Sequence, residues 1–263
     1  MGHTNRFQFW LNGDPPKSLG TTTNGDVERP AHDRWMARPL DRQLEDEQLA
    51  ALVPAIVDGD FPGLSLSGFR RLTSGAVEAL APCTRLRHLD LSGTKVDDGA
   101  APALAALENL VTLTLAGTRV GLETARAVAR LPKLEALDLG WTRVPEAGIV
   151  ELAGCTSLTS LRLCGLSVRA DAMKVIASLP ALRTLDLQEA RFDDLSALST
   201  CTQLESLSIG YTSVDDDAVD GLAKLTGLRT LMVRATRLTD AAVDRLSGAL
   251  PALGAKNAAG LQR

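Results

Sequence analysis

Aromatic residues are scarce in this 263-residue chain: three Trp, one Tyr and five Phe, 3% of the sequence. The core it builds must therefore be aliphatic, drawn from Leu, Val and Ala within a hydrophobic fraction of 45%. Charge of one sign is also lacking. A formal net charge of -4 argues against a general polyanion binder, so no nucleic acid partner is expected. No apolar run approaches the roughly 20 residues that cross a bilayer, so no membrane span is expected. The stretch from Phe7 to Leu11 is too short for the apolar region of a secretory signal. Met1 and Gly2 invite a myristoylation motif, but Arg6 stands where that motif wants Ser or Thr.

The common catalytic and cofactor motifs are missing as well. Neither G-x-x-x-x-G-K-[ST] nor G-x-G-x-x-G occurs, and NGDPPK lacks the glycines and the following helix that phosphate binding needs. The three histidines are scattered. The four cysteines include no C-x-x-C pair, so no zinc site and no other metal or cofactor is expected.

What the sequence does have is a period. LRHLDLSGTKVDDGA starts at Leu86, LVTLTLAGTRVGLET at Leu110 and LEALDLGWTRVPEAG at Leu134, with further starts at Leu158, Leu182, Leu204 and Leu228. The spacing is constant except between Leu182 and Leu204, where it is shorter by two positions. A degenerate version, FPGLSLSGFRRL, begins at Phe61, one position further from Leu86 than the usual step. Such a period marks stacked supersecondary units. Within LxxLxLxxTxV the fourth and sixth places alternate with polar ones, as a half-buried strand requires. A stretch such as DDGAAPALAAL follows with apolar residues at helical spacing, and Asp97 or Asp98 is placed to cap that helix. Each repeat is thus expected to run strand, turn, helix, loop.

Four segments follow from this pattern. Residues 1–34 are polar and rich in Gly, Pro, Thr and Asn, and are expected to be a disordered tail. Residues 35–60 are expected to form a helical cap over the first repeat, with Leu44, Gln48, Leu49, Leu52 and Ile56 on one face and Pro54 bending or ending the helix. Residues 61–252 carry about eight repeats, and residues 253–263 form a C-terminal tail.

Across that whole third segment the repeats resemble the leucine-rich repeat family. The sub-pattern C-T-x-L-x-x-L-x-L, at Cys83, Cys155 and Cys201, is similar to the cysteine-containing class associated with F-box proteins. The Gly-Ala and Leu-Ala pairs of SGAVEALA resemble repeats in type III effectors of plant pathogens. The resemblance implies an α/β solenoid, a horseshoe with a parallel sheet on the concave side and helices on the convex side. It also implies a non-enzymatic protein-interaction module that works as a monomer and grips a protein partner on the sheet. A bacterial effector, acting in the bacterial cytoplasm or secreted into a host cell, fits it. The substrate-recognition part of a ubiquitin ligase is the alternative. The chain departs from the class at the ninth place, where Thr replaces Cys.

Row by row, Thr94, Thr118, Thr142, Thr212 and Thr236 hold that ninth place, interrupted by Phe69, Leu166 and Ala190. A hydroxyl there is expected to satisfy a backbone group on a neighbouring turn. The interruption at Leu166 and Ala190, next to the short step, predicts a local irregularity in curvature. Cys83, Cys155 and Cys201 replace core Leu residues. Cys83 and Cys155 would lie roughly 14 Å apart and Cys155 and Cys201 roughly 10 Å apart at about 4.8 Å per strand, too far for a disulfide. Cys164 is expected on the exposed sheet face.

His88, Asp90 and Ser92 share one strand face but imitate a catalytic triad in the wrong order, since His must stand between the other two. Asp90, Asp138 and Asp186 recur at the fifth place, with Arg162 between the last two to keep them ionised. The partner-binding candidates are Asp138, Trp141, Arg162, Asp186, Glu189, Tyr211 and Arg234, because Trp, Tyr and Arg are the usual anchors of interfaces. Trp141 and Tyr211 replace the Gly or small residue that other repeats hold at the eighth place. A basic tenth-place row (Arg70, Lys95, Arg119, Arg143, Arg191, Arg237) is expected to be neutralised by the acidic residues that follow it.

Overall fold

The computed structural model describes residues 7–11, 17–22, 35–250 and 252–253. The chain divides into two compact units, Met1–Leu134 and Glu135–Arg263. The boundary falls inside the repeat series, just before the strand of the fourth repeat.

The first unit runs β1 (Phe7–Leu11), β2 (Lys17–Thr22), β3 (Trp35–Pro39), α1 (Asp46–Asp58), β4 (Gly63–Ser65), α2 (Ser74–Ala79), β5 (His88–Asp90), α3 (Ala101–Ala106), β6 (Thr112–Thr114) and α4 (Leu122–Val128). Its sheet order is β2-β1-β3-β4-β5-β6. Strands β4 to β6 pair in parallel, with Leu64, Leu89 and Leu113 in register at the centre, each buried. Helices occupy the other half of each coil. The strands are short because each coil must also supply a turn, a helix and a return before the next one starts.

Two sequence expectations change in this unit. Within the segment read as a disordered tail, Phe7–Leu11 and Lys17–Thr22 form strands, and β1 pairs antiparallel with both β2 and β3. The buried Phe7 ring meets Phe61 edge-on at 5.3 Å, and Ala37 joins β3 to Leu64 of β4. Backbone pairing suffices here, because the first coil offers a sheet edge. The rest of residues 1–34 lies outside the described residues, as does most of the C-terminal tail expected over 253–263.

The cap is therefore a strand followed by a helix. α1 buries Leu49, Leu52, Val53 and Ile56, with Leu44 buried just before it. Gln48, expected on the same face, is exposed and instead accepts the Glu45 backbone N–H at 2.8 Å. Pro54 lies inside the helix, which continues to Asp58. An interior Pro costs about 3 kcal/mol, and burying four aliphatic side chains at roughly 1.5–3 kcal/mol each offsets that.

The second unit runs β7 (Ala136–Asp138), α5 (Glu146–Val150), β8 (Ser160–Arg162), α6 (Ala170–Ser178), β9 (Thr184–Asp186), β10 (Ser206–Ser208), α7 (Val219–Leu222), β11 (Thr230–Met232) and α8 (Asp240–Ala249). The strands are parallel and sequential, with Leu137, Leu161, Leu185, Leu207 and Leu231 buried along the middle row. Between β9 and β10, at the shortened step, a 3-10 helix at Ser196–Thr200 replaces the α-helix.

The ninth-place hydroxyls bond within their own coil, not to a neighbouring turn. Thr94 donates to Leu91 O at 2.7 Å, Thr118 to Leu115 O at 2.6 Å and Thr142 to Leu139 O at 2.6 Å. Thr212 and Thr236 repeat the contact with Ile209 O and Val233 O. As the chain leaves the strand, it turns back on itself, and the nearest carbonyl is the one three residues earlier.

Candidate functional site

All seven partner-binding candidates fall in the second unit, in two clusters. The first is a charged column on the strand face. Parallel register puts Asp138, Arg162 and Asp186 side by side on β7, β8 and β9. Arg162 reaches Asp138 at 3.5 Å and Asp186 at 3.3 Å. Burial opposes the Arg162 charge, but the two flanking carboxylates outweigh it and push its pKa above the ordinary value. The carboxylates also shape the backbone. Asp138 accepts the Gly140 N–H at 2.9 Å and Asp186 the Gln188 N–H at 3.1 Å. In the first unit Asp90 does the same for Ser92 at 3.0 Å. The alternate Asp row thus turns the chain at the strand exit as well as charging the surface.

The second cluster stands at the eighth place. Trp141, Glu189, Tyr211 and Ala235 have φ of 59°, 56°, 58° and 54°, in the left-handed region, while Gly165 has 72°. In the first unit the same place holds Gly68, Gly93 and Gly117, all with positive φ. Every coil needs this conformation to leave the strand, and glycine adopts it without a Cβ clash. The second unit instead carries a Trp, a Glu and a Tyr there. Trp141 is 55% exposed and Tyr211 47%. The Trp141 ring lies over Gly165, where a Cβ would meet it at 2.5 Å. The Arg234 guanidinium sits 5.7 Å from the centre of the Tyr211 ring.

The sequence misplaces one residue of this face. Cys164, expected to be exposed, is buried, with its thiol near Asp186. Burial first, and the nearby Asp186 second, push that thiol up to about 11. Burial raises Cys83 and Cys155 to about 11 as well, and raises Cys201. All four are free thiols inside the protein.

The tenth-place cations also differ from expectation. Among the described residues, none of Arg70, Lys95, Arg119, Arg143, Arg191 and Arg237 makes an ion pair, and all six are exposed. Several of the acids meant to neutralise them cap backbone instead. Asp97 accepts the Gly99 N–H at 3.1 Å, and Asp98 accepts from Gly121 N at 2.7 Å and Thr124 N at 3.0 Å. Asp216 accepts from Thr239 N at 2.8 Å.

Sequence reasoning missed a groove of about 550 Å3 beside the shortened coil, lined by Ser167, Arg169, Arg191, Phe192, Ser213 and others. Glu189 and Tyr211 of the eighth-place cluster form part of its wall. Its signals were the shortened step and the loss of Thr at Leu166 and Ala190, both of which are buried.

In the first unit, Ser92 donates to Asp90 at 2.6 Å, which ties that hydroxyl to a carboxylate rather than to an imidazole. Among the described residues no cluster of three or more His, Cys, Asp or Glu is placed to hold a metal, and no helix is long and apolar enough to cross a membrane.

A family model described as "Leucine Rich repeat" matches residues 83–105. An internalin C2 from Listeria monocytogenes superposes with a TM-score of 0.60 at 21% identity, covering 78% of this chain and 88% of that one. The fold is a leucine-rich repeat solenoid. A second Listeria monocytogenes internalin, inlF, gives 0.57 at 21% identity over 76% of this chain, which spans 61% of the inlF chain. The mouse RP105/MD-1 complex gives 0.53 at 22% identity, covering 71% of this chain and 37% of that one. No curated protein matches in sequence. Leucine-rich repeat proteins generally mediate protein–protein interaction.

Proposed function

We propose that the second unit is a non-enzymatic binding module that holds a protein partner on its strand face and on the eighth-place edge beside it. The carrying observation is the left-handed backbone at Trp141, Glu189 and Tyr211. A bulky residue at such a place is strained by about 1–2 kcal/mol, and strain of this kind concentrates where a side chain has work to do. Two of the three are exposed aromatics, the type that anchors interfaces. Beside them the Asp138–Arg162–Asp186 column keeps one net negative charge, with its arginine held by both carboxylates, so it offers fixed polarity at low ordering cost. The third-place row of Ala136, Ser160, Thr184, Ser206 and Thr230 is small enough for a partner backbone to approach closely.

The test places a photo-cross-linking amino acid at Thr184 in the full chain and compares Trp141→Gly, Tyr211→Gly with the parent. Glycine suits that backbone, so the double variant stays folded. Loss of the parent's cross-linked protein in the variant supports the reading; an unchanged set of captured proteins rejects it.

For the setting of this module, we propose delivery from a bacterium into a host cell. The motif resemblance to type III effectors motivates it. A reporter fused to residues 1–34 that is not exported through a type III system rejects it.

A further inference from the structure

The coil from Leu182 to Gln203 is two residues short, and a 3-10 helix at Ser196–Thr200 takes the place of its α-helix. The groove of about 550 Å3 opens beside this coil. Arg191, the tenth-place residue of this coil, lines it. The coils on either side hold Ser167 and Ser213 at the same place, and Ser167 pairs with Arg191 through the backbone. Arg169 adds a second guanidinium. Both arginines are exposed, and neither makes an ion pair among the described residues. Glu189 and Tyr211, both with left-handed backbone, also line it, and the Arg234 guanidinium sits over the Tyr211 ring.

We propose that this groove takes a single carboxylate side chain, Asp or Glu, from an extended segment of the protein partner. The inference rests on the reading that the second unit binds a protein. The planar guanidinium fork of Arg191 matches a carboxylate with two parallel hydrogen bonds. The hydroxyls of Ser167 and Ser213 flank it as further donors, and Arg169 supplies a second positive charge. Glu189 and Asp193, both exposed and lining the groove, set the limit. They repel a run of acids or a phosphate dianion, so the segment carries one acid with uncharged or basic neighbours.

The chain's single tyrosine makes the groove directly observable. The full chain labelled with fluorotyrosine gives one 19F resonance, at Tyr211. It is titrated with the blocked peptide Gly-Gly-Glu-Gly-Gly, with its Gln counterpart and with inorganic phosphate. The Glu peptide shifts the resonance saturably in the millimolar range, the Gln peptide binds at least about tenfold more weakly, and added salt weakens the Glu response. Arg191→Gln loses the response at least about tenfold, and Arg191→Lys, which keeps the charge without the fork, falls between. Circular dichroism verifies that both variants are folded.

Equal binding of Glu and Gln peptides, an unaltered response in Arg191→Gln, or tighter binding of phosphate than of peptide overturns the proposal. A Trp141→Gly chain still responds to the peptide. The groove and the strand-face reading therefore fail separately: a silent peptide titration leaves the cross-linking result at Thr184 standing, and the converse holds as well.

Discussion

At the scale of single residues, the eighth place governs both stability and recognition. Gly165 has φ of 72° and the Trp141 ring directly over it. Gly165→Ala therefore adds a conformational penalty of about 1–2 kcal/mol and displaces the indole, which unfolding curves and Trp fluorescence read together. The opposite change relieves strain. Glu189→Gly is expected to stabilise the protein by up to about 1 kcal/mol, after the greater freedom of glycine in the unfolded chain is counted; a destabilised variant in urea unfolding would show that the glutamate makes a native contact. The ninth place works through a hydrogen bond. Thr118→Val removes the donor at 2.6 Å from Leu115 O in a buried site and is expected to cost about 1–3 kcal/mol. Thr118→Ser, which keeps the hydroxyl, recovers most of it.

At the scale of elements, the coil is built around its middle-row leucine. Leu137 on β7 is 2% exposed, and Leu137→Ala is expected to cost about 2–5 kcal/mol in equilibrium unfolding. A loss below about 1 kcal/mol would mean the side chain is not in the core. This much was legible in the sequence, because alternation and a fixed period are patterns that burial imposes directly. The fifth-place row was legible for the same reason, and the Asp138–Arg162–Asp186 column follows from register alone. Hydrogen-bond direction was not. That Thr118 bonds three residues back, or that Asp98 serves the next coil's backbone, depends on how sharply the chain turns, which residue types do not state. Cys164 was misread because its outward place in the alternation implied exposure, while the structure buries its thiol among its neighbours on that face. The groove was not read because a missing turn of helix leaves no motif, only a shorter step and a broken Thr row.

At the scale of the whole molecule, the carboxylates that cap turns set the response to acid. Burial opposes the Asp98 charge, but the N–H groups of Gly121, Thr124 and Glu123 and the Thr124 hydroxyl outweigh it and hold its pKa below the ordinary value. Ser74 and the Gly99 N–H depress Asp97, the Ser196 hydroxyl and N–H depress Asp194, and Thr239 depresses Asp216. Depressed carboxylates stabilise the folded state above the unfolded pKa, near 3.9, and that contribution is lost as pH falls through the lower folded values. The urea midpoint is expected to hold above about pH 5 and to drop below about pH 4, with a shallower drop in Asp98→Asn. The four thiols, buried and raised, are expected to resist iodoacetamide in the native protein and to react on unfolding. The N-terminal strands were beyond the sequence for a related reason: Phe7 finds its partner, Phe61, more than fifty positions away, and composition reports only local content.

The left-handed eighth place also puts a ceiling on how this scaffold can diversify. Each coil that trades its glycine for a larger contact residue gives up as much as about 1 kcal/mol net, against a folding margin that for ordinary domains is roughly 5–15 kcal/mol. Only a few coils can make that trade before the margin is exhausted. A descendant of this chain with contact residues at every eighth position would need new stability from elsewhere, in better cores or tighter caps, before it could acquire them.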